Sequence, residues 1–181
     1  MEIRESREED STEIANMHMQ AFGADEGPEI IELVNGMFND KTAEPLLSLV
    51  AADNNKLIGH IIFSKTMIIQ SNKPVLTKIL APLAVLPEFQ NKGVGSKLIT
   101  KGLEYLKGLG IDAVFVLGHP EYYSRFGFKT AGALGFQAPY PIPERNADAW
   151  MVKELKAGVL GAVNGKVKCA ETLSQPHYWR E

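Results

Sequence analysis

The sequence predicts an α/β (α+β) chain: a mixed, mostly antiparallel, twisted sheet of about six to seven strands with a central parallel, splayed pair and flanking helices. Three observations carry this. Apolar runs at 47–52 and 57–63 are joined by Asp53-Asn54-Asn55-Lys56, the composition of a tight hairpin turn, so these neighbours are antiparallel. The apolar run of Ile79, Leu80, Leu83, Val85 and Leu86 leads through a glycine-bearing turn and a helix to a second apolar run at 113–117, and a helical connection of that length makes the two strands parallel. Pro82 stands inside the first of these runs. A residue with no N–H to give to a ladder argues there for a bulge or for a point where two strands part.

Composition sets bounds on function. The 181 residues suffice for one full core. A hydrophobic content of 45% and a charged content of 23% are those of an ordinary globular domain. The net charge of −3 gives no electrostatic reason to expect nucleic acid, and no apolar run approaches the roughly 20 residues needed to cross a bilayer. The N-terminus is charged from Glu2 onward and has no signal-peptide core, and the single Cys169 allows no disulfide within the chain, so the expected compartment is the cytoplasm. Cys169 has no histidine and acid context and reads as a small packing residue. No residues stand at metal-ligand spacing, so no metal is expected.

Taken in order, residues 2–4 form a short edge strand with Ile3 inward. Ser6-Arg7-Glu8-Glu9 has the form of a capping box, and Ile14, Met17, His18 and Ala21 then repeat at helical spacing, which predicts a helix to about Ala21. Residues 22–27 read as an acidic loop. Pro28 suits the first turn of a second helix running through Phe38, with Ile30, Ile31, Leu33, Val34, Met37 and Phe38 as its apolar stripe. Gly59 inside the second hairpin strand points to a bulge or a close backbone approach, residues 67–69 continue that strand, and Ser71-Asn72-Lys73-Pro74 turns the chain.

The central strand is followed by Gln90-Asn91-Lys92-Gly93-Val94-Gly95 and a helix whose apolar positions Leu98, Ile99, Gly102, Leu103, Leu106 and Leu109 recur at helical spacing, with Lys97, Lys101 and Glu104 opposite. Glycines at alternate positions let backbone N–H groups point into one concavity in front of a helix N-terminus, a nest that suits phosphate or pyrophosphate. It is neither a dinucleotide fingerprint nor a Walker loop, because Leu98 stands where the third glycine would fall and Ser96 intervenes between Gly95 and Lys97. Gly108-Leu109-Gly110 ends the helix. Strands at 113–117, from 127 and at 150–155 follow, with a proline-rich loop at 138–143; residues 165–168 read as an added edge strand, and Tyr178-Trp179 is placed to pack the tail back onto the body.

Gln90, Gly93 and Gly95 after an apolar strand resemble the acyl-CoA signature of the GNAT superfamily of N-acetyltransferases. A second apolar strand then leads to Gly118-His119-Pro120-Glu121-Tyr122-Tyr123-Ser124-Arg125-Phe126-Gly127-Phe128, similar to the family's short helix with a tyrosine four places before a Gly-Phe pair, and Tyr123 is the tyrosine that matches. The resemblance covers roughly residues 2–155, so the chain divides into a domain at 1–155 and a C-terminal extension at 156–181 packed on it.

The resemblance implies the GNAT fold, acetyl-CoA as cosubstrate and direct acetyl transfer to an amine of a small molecule or peptide. It places the pantetheine arm on the splayed strand at Leu83, Ala84 and Val85, with the Val85 N–H as oxyanion donor, and the pyrophosphate on the turn formed by Gln90, Asn91, Lys92, Gly93, Val94, Gly95 and Ser96. Lys92, Lys97 and Lys101 are candidates for the further phosphate. Tyr123 becomes the general acid, since a phenol with an ordinary pKa near 10 keeps its proton at neutral pH. The helical pair makes the acceptor side, where Asp25, Glu26 and Glu29 are candidates for contacting an amine. The glutamate that some family members carry on the central strand is missing; Glu88, Glu26, Glu121 and His119 are the candidate bases, and an acceptor of low pKa needs none. Two other readings stay open, a non-catalytic acyl-CoA-binding or sensor module and a transferase using another acyl group or a hydroxyl acceptor. No nucleic-acid or membrane partner is expected, and the protein is a monomer or a homodimer.

Overall fold

The computed structural model of the chain describes residues 1–69, 71 and 73–180. Its strands, β1 (Glu2–Glu5), β2 (Leu47–Asp53), β3 (Lys56–Ile68), β4 (Thr77–Val85), β5 (Ala113–Leu117), β6 (Lys129–Thr130), β7 (Phe136–Gln137), β8 (Trp150–Glu154) and β9 (Gly165–Cys169), are joined by α1 (Ser11–Phe38), α2 (Val94–Gly108), α3 (Pro120–Tyr123) and α4 (Val159–Ala162). The sheet runs β1-β2-β3-β4-β5-β8-β6, with β9 pairing both β3 and β7. All pairs on the main path are antiparallel except β4 and β5. The described residues thus hold nine strands rather than six to seven: β7, two residues long, gives no periodic signal, and β9 extends the sheet.

The hairpin forms as its turn composition dictates, with Asn54 at φ 49° and Asn55 at φ 64°, the left-handed pair that matches strand twist. A side chain on Gly59 would meet Leu98 at 2.8 Å and Val94 at 2.9 Å, so glycine is needed there to let α2 lie close on the sheet. The helix α2 ends as a Schellman motif, with the Ile111 N–H donating to Leu106 O at 3.0 Å, the Gly110 N–H to Lys107 O at 3.1 Å, and Gly110 at φ 81°. Leu109, placed on the apolar stripe by periodicity, is 60% exposed because α2 ends at Gly108 and Leu109 is the cap inside that turn.

Two expectations at the N-terminal helices are corrected. Instead of a capping box from Ser6 to Glu9, the Asp10 carboxylate accepts from the Arg7 N–H at 2.7 Å and from both terminal nitrogens of Arg4 at 2.8 and 3.0 Å. Residues 22–27 are not a loop: α1 breaks only at Gly23 (φ 80°, ψ −179°) and resumes at once, so Pro28 sits inside its second half. One glycine supplies the whole change of direction, and helix propensity holds on either side of it. The turn expected at Ser71-Asn72-Lys73-Pro74 includes Asn72, which lies outside the described residues.

On β4 the sheet opens. The pairing of β3 and β4 runs Ile61↔Leu83 and then Phe63↔Leu80, so Ala81 and Pro82 together face Ile62 as a bulge. The parallel pairing of β4 with β5 stops at Leu80↔Val116. From Ala81 onward β4 keeps β3 and loses β5.

The tail is part of the same core. Trp179 is 2% exposed, lies edge-on to Trp150 at 5.6 Å and donates from Nε1 to Leu173 O at 2.9 Å. Asp40, just past α1, accepts from the N–H and hydroxyl of Thr172 at 2.9 and 2.7 Å, and Thr42 Oγ1 accepts from the Glu171 N–H at 2.8 Å.

Candidate active site

The end of β4 presents free backbone to the opening. The Leu86 N–H donates to Ile58 O on β3 at 2.9 Å, and backbone groups alternate sides along a strand. The Val85 N–H and carbonyl are therefore turned to the side that β5 has left. The Val85 carbonyl there accepts from Gln90 Nε2 at 3.0 Å. That bond ties the turn after β4 back onto the strand.

In this turn Asn91 and Gly93 both take left-handed backbone, φ 61° and 83°, directly before the fifteen residues of α2. A chain that alternates between hands aims successive N–H groups into one hollow, and the helix adds its positive end. The turn borders a cleft of about 550 Å³ lined by Leu83, Val85, Phe89, Gln90, Asn91, Gly93, Val94, Gly95, Ser96, Tyr122 and Arg125. Eight of these were expected from the sequence. Ala84, Lys92 and Lys97 are not among them: Ala84 is buried on the other face of β4, while Lys92 and Lys97 are exposed, Lys92 with its ammonium 5.6 Å from the centre of the Phe89 ring.

Three cleft residues, Phe89, Tyr122 and Arg125, were not among those expected there from the sequence. The Arg125 guanidinium lies 4.7 Å from the centre of the Tyr122 ring, and the two stand three positions apart across the end of α3 and the helical turn that follows it, a spacing that could have paired them. A side chain on Gly95 would meet the Tyr122 hydroxyl at 2.8 Å. Glycine at 95 thus leaves room for Tyr122 as well as for the turn.

A second cavity, of about 810 Å³, opens on the α1 side of the same gap. Phe22, Glu26, Glu29, Ile30 and Leu33 of α1 form one wall, Ile79 to Leu83 and Val116 to Gly118 the floor, and His119, Pro120, Tyr122 and Tyr123 the end nearest the cleft. Arg145, Asn146, Asp148 and Ala149 form another side, and Leu173, His177, Tyr178 and Trp179 of the tail close it. Leu83 and Tyr122 line both cavities, so they meet at the opening in the sheet. Asp25 is exposed and lines neither.

Tyr123 reaches this junction from the second cavity. It is 8% exposed, with its ring edge-on to Tyr122 at 5.1 Å and to Phe128 at 5.7 Å. A side chain on Gly118 would collide with that ring at 2.3 Å, so the glycine ending β5 makes the seat of Tyr123. Burial, and then the neighbouring Tyr122, push the phenol well above its ordinary value. Among the candidate bases, Glu26 and His119 line the second cavity. Glu88 and Glu121 line neither; Glu88 pairs with the Lys56 ammonium at 2.9 Å, which holds its carboxyl below the usual range. Tail residues at this cavity were missed because the contact that brings them there, Thr172 to Asp40, spans 132 residues.

A family model of the acetyltransferase (GNAT) domain matches residues 2–131. The chain belongs to the GNAT acetyltransferase family. It is 41% identical over 163 residues to the uncharacterized N-acetyltransferase YjhQ of Escherichia coli K12, covering 90% of this chain and 88% of that protein. The crystal structure of the GNAT family N-acetyltransferase YhbS of Escherichia coli in complex with CoA has a TM-score of 0.84 at 28% identity, over 96% of this chain and 92% of that one. A GNAT family acetyltransferase from Brucella melitensis in complex with acetyl-CoA has a TM-score of 0.74 at 29% identity, over 95% and 97%. The mixed sheet, opened between β4 and β5 and flanked by helices, is the GNAT fold. Among the described residues no helix is long and apolar enough to cross a membrane.

Proposed function

We propose that the chain is an acetyl-CoA-dependent N-acetyltransferase acting directly on an amine, in the cytoplasm. The observation that carries this is the meeting of the two cavities at Leu83 and Tyr122, where β4 has parted from β5. The relatives crystallised with CoA and acetyl-CoA support the cosubstrate.

The residues present fit such a group. The N–H nest at 91–96 and the N-terminus of α2 suit a pyrophosphate, Arg125 adds a cation on the cleft, and the free edge of β4 from Ala81 offers backbone to an amide-bearing arm. Bound acetyl-CoA supplies the acyl group on a thioester and leaves as the thiol. The Val85 N–H is held by the strand on the side where it can donate to the acyl oxygen as negative charge develops there, a preorganised dipole of the kind that lowers such barriers. In this reading the Tyr123 hydroxyl, which keeps its proton at neutral pH and borders the junction from the second cavity, would give that proton to the departing sulfur. Glu26 and His119, which line the second cavity, are the candidates for taking the amine's own proton.

The test is a thermal-shift titration with acetyl-CoA, CoA, ATP and NAD on the wild type and on Gly93→Glu. Binding at one hundred times the dissociation constant adds about 2.7 kcal/mol of stability. Stabilisation by the two CoA species alone, lost in Gly93→Glu, is the expected result. Failure of both to stabilise the wild type sinks the reading.

A further inference from the structure

The acceptor class follows from the second cavity, and it rests on the acetyltransferase reading above. We propose that the acceptor is a small primary amine on an apolar body that carries no carboxylate, and that residues 171–179 form the wall that selects it.

Size comes first. The cavity of about 810 Å³ lies within the roughly 300–1,000 Å³ typical of small-molecule sites, and it is walled by α1 on one side and the tail on the other. Character follows position. Much of the lining is apolar, including Leu33, Ile79, Leu80, Leu173 and Trp179, with Ile30 on the α1 wall and Tyr178 on the tail wall. The charged rim holds three carboxylates, Glu26, Glu29 and Asp148, against the single guanidinium of Arg145. Such a rim favours an entering ammonium and disfavours an amine with a carboxylate beside it. Glu29 is meanwhile bridged to the tail by His177 Nε2 at 2.8 Å, across the gap between the two walls.

The tail wall is held in place from outside the cavity. Asp40 fastens Thr172 and Thr42 fastens Glu171, the Tyr140 hydroxyl donates to Ser174 O at 2.9 Å, and Thr172 Cγ2 packs so close on Gly36 that a side chain there would meet it at 2.7 Å. Burial opposes ionisation of Asp40, but the donors from Thr42 and Thr172 outweigh it and hold the carboxyl at about 2, so the latch persists at any working pH. This wall lies beyond the residues matched by the family model, which end at 131.

The experiment compares 2-phenylethylamine, phenylalanine, putrescine and a lysine-containing hexapeptide, by thiol release with acetyl-CoA and by thermal shift of the protein saturated with CoA. The expected result is a kcat/KM for 2-phenylethylamine at least tenfold above the other three and a thermal shift from it alone. Tyr178→Ala, which removes the tail wall, and Ile30→Trp, which fills the cavity from α1, should each raise its KM at least tenfold and leave the thermal shift from acetyl-CoA as in the wild type. Preference for the amino acid, the diamine or the peptide overturns the inference, as does an unchanged KM in both variants. If acetyl-CoA itself gives no shift, the acetyltransferase reading falls and this inference with it; if acetyl-CoA binds and the amine preference differs, only the inference falls.

Discussion

The Gln90 side-chain amide donates to the Val85 carbonyl at 3.0 Å, so the residue that opens the glycine turn also anchors the strand end that the turn leaves. Gln90→Leu keeps the bulk and removes the donor. A net hydrogen bond contributes about 1 kcal/mol, so acetyl-CoA affinity measured by calorimetry should weaken about fivefold. Unchanged affinity would show that the turn holds its shape without this tie.

Gly93 has nothing within 4 Å of where a side chain would sit, yet its φ is 83°. The cost of Gly93→Ala is therefore in the backbone alone, about 1–2 kcal/mol, and urea titration should show that loss. Gly95→Ala has the opposite cause, contact with the Tyr122 hydroxyl at 2.8 Å. Tyr122→Phe should recover part of the stability lost in Gly95→Ala and none of that lost in Gly93→Ala.

Tyr123→Phe should lower kcat at least tenfold with acetyl-CoA affinity unchanged, since it removes only the proton that the hydroxyl would deliver. Because the phenol is pushed above its ordinary value, kcat in the wild type should not fall through loss of that proton anywhere below pH 10. Turnover equal to wild type in the variant would remove Tyr123 from the reaction.

His18 and His60 form a buried pair, Nε2 to Nδ1 at 2.8 Å, continued by Ser48 Oγ at 2.8 Å from His60 Nε2. Burial lowers His18 from 6.5 to about 4 and, together with the charge of His18, His60 well below its ordinary value. The folded protein holds both rings neutral while the unfolded chain takes up protons below about 6.5. Stability is thus fully present above pH 6.5 and is lost as pH falls towards 4, by roughly 3 kcal/mol from His18 alone. Urea midpoints at pH 7, 5.5 and 4.5 should fall in that order, and His18→Gln should flatten the slope; an equal slope in the variant would place the loss elsewhere.

Where a feature depends on neighbours in the chain, it was legible. The hairpin at Asn54-Asn55, the glycine turn at Gly93, the end of α2 at Gly110 and the tyrosine at 123 each follow from a few consecutive residues whose backbone preferences or spacing admit few alternatives. Pro82 announced the opening in the sheet because a missing N–H cannot be supplied by anything else in the strand. The local reading failed where two neighbouring patterns competed: Ser6 and Glu9 look like a cap, but the Arg4 guanidinium fixes Asp10 in that role.

By itself, then, the sequence determined the family, the strand order through β5, the glycine turn before α2 and the tyrosine at 123 that matches the family's pattern, because these are encoded within short windows. Only the tertiary structure decided which side chains share a cavity. Asp25 falls on the exposed side of α1 while Glu26 and Glu29 face the gap, Lys92 and Lys97 stay outside the cleft while Arg125 enters it, and the tail arrives at the acceptor side. These outcomes rest on the break at Gly23, the stacking of Arg125 on Tyr122 and the bond of Thr172 to Asp40. The first is a local backbone choice whose consequence appears only when α1 packs on the sheet, and the last joins residues whose distance in sequence leaves no trace in any local pattern.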